Sequence, residues 1–74
     1  MTTLTVNSIR LEKESAGHYQ VTVDCSKGNF LKTITDMTII DEMKSEDREI
    51  SDAADKSCVE MILGERFDEI NFNY

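Results

Sequence analysis

The spacing of apolar residues changes near position 36, and this change limits the possible folds more than any other feature of the sequence. Before it, Tyr19, Val21, Val23 and Cys25 alternate with polar residues, which is typical of a strand with one buried face. After it, apolar and small residues recur at helical spacing, at Ile50, Ala53, Ala54, Ser57, Cys58, Met61 and Ile62. The order predicts a sheet formed first and covered by helix afterwards.

Three strands are predicted before position 36. The first covers residues 2–15, where Leu4 and Val6 share one phase and Ile9 and Leu11 share the other. This slip predicts a β-bulge or a short break at residues 7–8. Turns at residues 15–18 and 26–29, each containing glycine, lead to strands at residues 19–25 and 30–35. Residues 1–35 are therefore predicted to form an antiparallel β-meander.

The segment from residue 36 to residue 64 is predicted to be helical. Asp36 or Thr38 can cap a first helix. Residues 44–49 are wholly polar and are predicted to form either a loop or a kink. Gly64 is placed to end the helix that follows. The pattern leaves open whether residues 36–63 form one kinked helix or two.

A short strand is predicted over residues 67–74, because Ile70, Phe72 and Tyr74 alternate with asparagines. The resulting order, β-β-β-α-(α)-β, describes an α+β fold in which a small antiparallel sheet carries one or two helices packed on one face. A length of 74 residues suits one domain, residues 1–74. A domain of this size buries little surface, so a homodimer is one way to enlarge its core.

Charge is distributed unevenly along the chain. Residues 1–40 hold four acids and four bases, whereas residues 41–74 hold eleven acids and four bases, so the second half carries the whole net charge of −7. Direct binding to nucleic acid depends on Lys and Arg contacts to phosphate, and anionic membranes also attract basic segments. We therefore expect neither nucleic acid nor membrane as a direct partner.

The N-terminus lacks the basic and apolar regions of a signal peptide, and no apolar run is long enough for a membrane helix. We expect a soluble, cytoplasmic protein. In a reducing compartment the two cysteines, Cys25 and Cys58, are expected to be free thiols, with a single disulfide as the alternative.

No group of residues predicts catalysis or metal binding. His18, the single histidine, lies in a predicted turn, and no partner marks it as a general base. Cys58 lies on the apolar helix face beside acidic residues, which disfavours a reactive thiolate. The acidic stretches at residues 36–47 and 47–52 lack the central glycine of an EF-hand calcium loop. We expect no catalytic, cofactor-binding or metal site, and hence no enzyme.

The predicted partner-binding surface lies on the helix of residues 50–63. With Ala54 at the centre of its buried face, the opposite half contains carboxylates together with two apolar residues. An apolar centre with a charged rim is typical of a protein interface, although a solvated face or cover by residues 67–74 would also fit the pattern. The candidate residues are Glu49, Asp52, Asp55, Val59, Glu60 and Leu63.

These features favour a non-enzymatic domain that binds a protein with a basic surface. Spaced carboxylates can compete with phosphate for Lys and Arg side chains of a nucleic-acid-binding protein. In size and acidity the chain is similar to small inhibitors of phages and mobile elements, such as DNA mimics and anti-CRISPR or anti-restriction proteins. These inhibitors share no motif, so the likeness implies a type of function and assigns no residue.

The alternative is a self-associating structural or accessory subunit. The strand at residues 30–35 or the one at residues 70–74 would then pair through an exposed sheet edge. A small-molecule binder ranks last, because a chain this short leaves little room for a pocket.

Overall fold

The computed structural model describes residues 2–74. Six elements follow one another in the order β-β-β-α-α-β, which confirms the predicted α+β class. They are β1 (Thr3–Ser15), β2 (His18–Cys25), β3 (Gly28–Ile34), α1 (Met37–Met43), α2 (Arg48–Leu63) and β4 (Glu69–Phe72).

The four strands form one sheet with the order β3-β2-β1-β4. The first three strands pair antiparallel as a meander, as predicted. β4 pairs with β1 in parallel, from Thr3 opposite Glu69 to Val6 opposite Phe72, so the sheet is mixed and not wholly antiparallel. The physical reason is the crossover through α1 and α2, because this connection is long enough to return the chain to the end of the sheet where β1 begins.

The predicted β-bulge lies at Asn7. Val6 pairs with Cys25 and Ser8 pairs with Asp24, so one residue of β1 is left without a partner in β2. A slip of one residue moves the following side chains to the other face of the sheet. Ile9 therefore lies opposite Val23, on the same face as Val6.

The helical segment forms two helices, which answers the question that the pattern left open. Asp36 caps α1 by accepting hydrogen bonds from the backbone amides of Thr38 and Ile39. Asp47 caps α2 by accepting from the amide of Glu49. Gly64 ends α2 with a φ of 71°, a left-handed conformation that glycine adopts without steric cost.

The core lies between one face of the sheet and the two helices. Its buried side chains form one cluster that includes Val21 and Val23 from β2, Ile40 from α1 and Cys58 from α2. In the described part of the chain, the other face of the sheet has no helix over it and carries mainly polar side chains, such as Thr22. In residues 2–74, neither helix has the length and apolar character needed to cross a membrane.

Candidate protein-binding surface

The side of α2 that faces the core differs from the predicted one. Ala54 and Cys58 are buried as predicted, but Val59 is buried as well, with 0% of its surface exposed. Ile50 and Met61 are 42% and 39% exposed, although the apolar spacing placed both inside. The buried side of α2 is thus rotated about the helix axis relative to the prediction.

The chain after α2 explains this rotation. Phe67 is 3% exposed and belongs to the same buried cluster as Val59. Its backbone amide donates a hydrogen bond of 3.0 Å to Oε2 of Glu60, which fixes the return of the chain against α2. Leu63 is partly buried and packs against this cluster. Of the two alternatives for Val59 and Leu63, an exposed apolar spot and cover by residues 67–74, burial excludes the first for Val59, and the shared cluster with Phe67 agrees with the second.

The four predicted carboxylates have different surroundings. Glu49 is exposed and Asp52 is half-buried. Asp55 and Glu60 are half-buried and engaged within the fold, Asp55 with the hydroxyl of Tyr74 and Glu60 with the amide of Phe67. Only Glu49 and Asp52 have no such bond to another segment among the contacts of residues 2–74. On the acidic half of α2, Asp55 and Glu60 therefore bind the C-terminal segment of the chain and help to hold it against the helix.

Burial shifts the ionisation of the groups on this side of α2. The pKa of Asp55 lies above its ordinary value of 3.8, chiefly because burial disfavours the carboxylate; the hydrogen bond from Tyr74 acts in the opposite direction. Burial also raises the pKa of Tyr74, and the hydrogen bond to Asp55 raises it further. Burial and the charge of Asp55 raise the pKa of the Cys58 thiol to about 11.

The exposed side of α2 carries a line of uncharged residues. Ile50, Ala53, Ser57 and Met61 recur at i, i+3, i+7 and i+11, and all four are exposed. At 3.6 residues per turn they fall within an arc of about 80°. We call these four residues the apolar stripe. Sequence reasoning missed its exposure because small and apolar residues occupy more of the circumference of α2 than the core covers.

Exposed carboxylates precede the apolar stripe in the sequence. Between positions 41 and 49 the side chains of five acids are exposed, and we call them the acidic segment: Asp41, Glu42, Glu46, Asp47 and Glu49. Within residues 2–74 ion pairs join Arg10 to Glu12 and Lys27 to Glu65, and neither pair involves the acidic segment. The same stretch contains two bases, Lys44 and Arg48, so five acids less two bases leave it a net charge of −3.

Lys44 lies between these acids in sequence, but its side chain extends to the sheet. Its Nζ donates a hydrogen bond of 2.8 Å to the hydroxyl of Tyr19 and lies 4.3 Å from the centre of that ring. A cation over an aromatic face is attracted by the ring, which holds the ammonium in place. Lys44 thus forms no ion pair with the acidic segment in the described part of the chain.

The remaining candidate groups have ordinary surroundings. Cys25 and Cys58 are buried free thiols, as predicted, and the thiol of Cys25 donates to the carbonyl of Gly28 at 3.3 Å. His18 is exposed at the start of β2, and its Nδ1 lies 3.1 Å from the carbonyl oxygen of Ala16 in the turn. Residues 2–74 contain no pocket and no group of three potential metal-binding side chains.

Comparison of the chain with protein-family models, with curated proteins and with solved structures finds no match.

Proposed function

We propose that this chain is a non-enzymatic domain that binds a protein with a basic surface, through the apolar stripe and the acidic segment. The observation that carries the proposal is the position of Ile50. Its side chain is 42% exposed in the first turn of α2, where it is next to Glu49 in sequence and four residues after Glu46. Apolar area beside unneutralised carboxylates is typical of the centre and rim of a protein interface.

The two parts of this surface have different roles in the proposal. The apolar stripe supplies area that is removed from water on binding, which stabilises the complex. The acidic segment attracts basic side chains during the encounter, so it increases the association rate and selects basic partners. Because exposed charges are screened by salt, the affinity should fall as ionic strength rises.

Inhibition of a nucleic-acid-binding protein is the finer form of the proposal. Such a partner presents Lys and Arg side chains in a groove that normally contacts phosphates. Carboxylates of the acidic segment would occupy the same side chains, so bound nucleic acid and this domain would exclude each other. What supports this form is that Asp41, Glu42 and Glu46 are exposed and make no ion pair with any of residues 2–74.

Affinity capture at low and high salt tests the proposal. The immobilised chain is incubated with a lysate of its source organism, and the retained proteins are eluted with increasing salt. The double variant Glu42→Lys with Glu49→Lys should lose the salt-sensitive partner. Both residues are exposed and, within residues 2–74, neither side chain bonds to another segment, so the fold should tolerate the change. Asp55 and Glu60 are unsuitable for this test, since their reversal would break contacts within the fold.

A matched control makes the same change of charge elsewhere. Lys replaces Asp24 and Glu69, which are exposed on β2 and β4 and, among the contacts of residues 2–74, make no side-chain bond to another segment. This control should retain the partner. Loss of the partner in both double variants would indicate general charge attraction and contradict the proposed surface. For the inhibitor form, added duplex DNA should release a captured nucleic-acid-binding protein; a partner that binds DNA and this domain together would contradict it.

A further inference from the structure

The outer edge of β3 is the least protected edge of the sheet. β3 spans seven residues, Gly28–Ile34, and pairs with β2 along its whole length without a register shift. Among residues 2–74, no strand lies on its other side. An unpaired edge presents backbone amides and carbonyls that can pair with another strand. Bulges, prolines and charges usually protect such edges, and β3 has one charge, Lys32, and neither of the other two.

The other free edges are protected by comparison. β4 has four residues and carries Glu69. β4 pairs with β1 only as far as Val6. From residue 7 to residue 15, this edge of β1 has no pairing with β4 and is open. That stretch has four charged residues among nine: Arg10, Glu12, Lys13 and Glu14. Repeated charges and the bulge at Asn7 oppose pairing there.

We propose that β3 pairs antiparallel with β3 of a second copy of this chain, with Leu31 at the two-fold axis, so that two sheets join into one of eight strands. This inference is independent of the proposed partner surface on α2. Leu31 is 60% exposed, the most exposed of the large apolar residues, and lies opposite Thr22 on the sheet face that the helices leave uncovered. Pairing would bring the two Leu31 side chains together.

Symmetry limits the possible registers. A two-fold axis perpendicular to the sheet keeps each side chain on its own face, so one residue must lie opposite its own copy. Centred on Leu31, the pairing places Asn29 opposite Thr33 and Phe30 opposite Lys32. The first pair joins two uncharged polar side chains, and the second places an aromatic ring beside a cation. Both kinds of pair are favourable across neighbouring strands. Centred on Lys32, it would place two ammonium groups opposite each other, which is unfavourable.

Charge on the edge strand itself does not prevent a second copy from pairing there. β3 contains no acid, so pairing brings no carboxylates of the two strands together. Each copy still carries a net charge of −7, and the two helical layers would lie on the same side of the joined sheet. Salt screens their repulsion. The dimer should therefore strengthen as salt rises, whereas binding to a basic partner should weaken.

Site-specific cross-linking of the full chain tests the register. With a short bis-maleimide, Leu31→Cys should give a covalent dimer, because residue 31 faces its own copy. Thr33→Cys alone should not, but an equal mixture of Thr33→Cys with Asn29→Cys should. The unmodified chain is the control for its two native thiols, which are buried. Equal cross-linking by Leu31→Cys and Thr33→Cys would overturn the register.

Sedimentation equilibrium of the unmodified chain tests the dimer itself. Leu31→Lys should weaken association on the order of tenfold, which corresponds to about 1.4 kcal/mol. Met37→Lys, an exposed apolar residue on α1, is the matched control and should not change it. Monomers at all protein concentrations in high salt would overturn the inference. That result would not bear on capture of a basic partner, which is measured separately and at low salt.

Discussion

The hydroxyl of Tyr74 donates a hydrogen bond of 2.9 Å to Oδ2 of Asp55, and this bond joins the segment after β4 to the middle of α2. The ring of Tyr74 also meets the ring of Phe72 edge to face, with centroids 5.6 Å apart. Tyr74→Phe keeps the ring contact and removes only the hydrogen bond. We expect a loss of about 1 kcal/mol in the free energy of unfolding, measured in urea at neutral pH. An unchanged midpoint and slope would mean that the bond contributes nothing to stability.

Asp55 should make the stability of the fold decrease as pH rises. Burial raises its pKa in the folded state above 3.8, so the folded chain binds this proton more tightly than the unfolded chain does. The stabilisation linked to this proton is complete below 3.8 and is lost as pH rises through the folded-state pKa. Asp55→Asn removes this titration, and its amide oxygen can still accept from Tyr74.

The free energy of unfolding of Asp55→Asn, minus that of the unmodified chain, should therefore increase from about pH 3 upward and then become constant. Urea titrations at a series of pH values measure this difference. Asp41→Asn, at an exposed position of α1, is the matched control for removal of one carboxylate. A difference for Asp55→Asn that decreased with pH would show that the hydrogen bond from Tyr74 outweighs burial.

The buried thiol of Cys58 should react slowly with alkylating reagents. Its surface is fully buried and its pKa is raised to about 11, so little thiolate forms at mildly alkaline pH and reagent reaches it only when the fold opens. Ser57→Cys places a thiol one residue away on the exposed side of α2. Mass spectrometry should show rapid modification of the introduced thiol and slow modification of Cys58. Similar modification rates for Cys58 and the thiol introduced at position 57 would contradict the orientation of α2, in which residue 58 is buried and residue 57 is exposed.

The same orientation predicts unequal effects of two truncations. Val59→Ala removes two methyl groups from a side chain with no exposed surface and should cost about 2 kcal/mol of stability. Ile50→Ala removes a larger group from an exposed position and should cost about 0.5 kcal/mol or less. Urea unfolding of both variants measures the two values. A larger loss of stability for Ile50→Ala than for Val59→Ala would mean that α2 buries the face that the apolar spacing predicts.

Most of the fold follows from local patterns. The alternation in β2, the slip at Asn7, the cap at Asp36 and the glycine at position 64 each predict the element that the structure shows. The direction of β4 could not be predicted in this way. Ile70 and Phe72 face the core in either a parallel or an antiparallel strand, so the alternation is the same.

The candidate surface was harder to predict because it depends on a contact between distant residues. Spacing shows that α2 has a wide apolar arc, but it does not show which part of that arc the core covers. Phe67 belongs to the cluster that contains Val59, and it reaches this cluster because the chain changes direction at Gly64, where α2 ends. Glu49 and Asp52 remain candidates, whereas Val59 belongs to the core.

Photo-cross-linking at Ser57 tests the proposed protein-binding surface most directly. Ser57 is exposed in the middle of the apolar stripe, so a photoreactive amino acid there should cross-link a discrete partner protein in a lysate of the source organism. The adduct should decrease with salt and with Glu42→Lys and Glu49→Lys. The same photoreactive amino acid at Thr22, on the uncovered face of the sheet, should not give it. A partner cross-linked equally from both positions, or only from Thr22, would contradict the proposed surface.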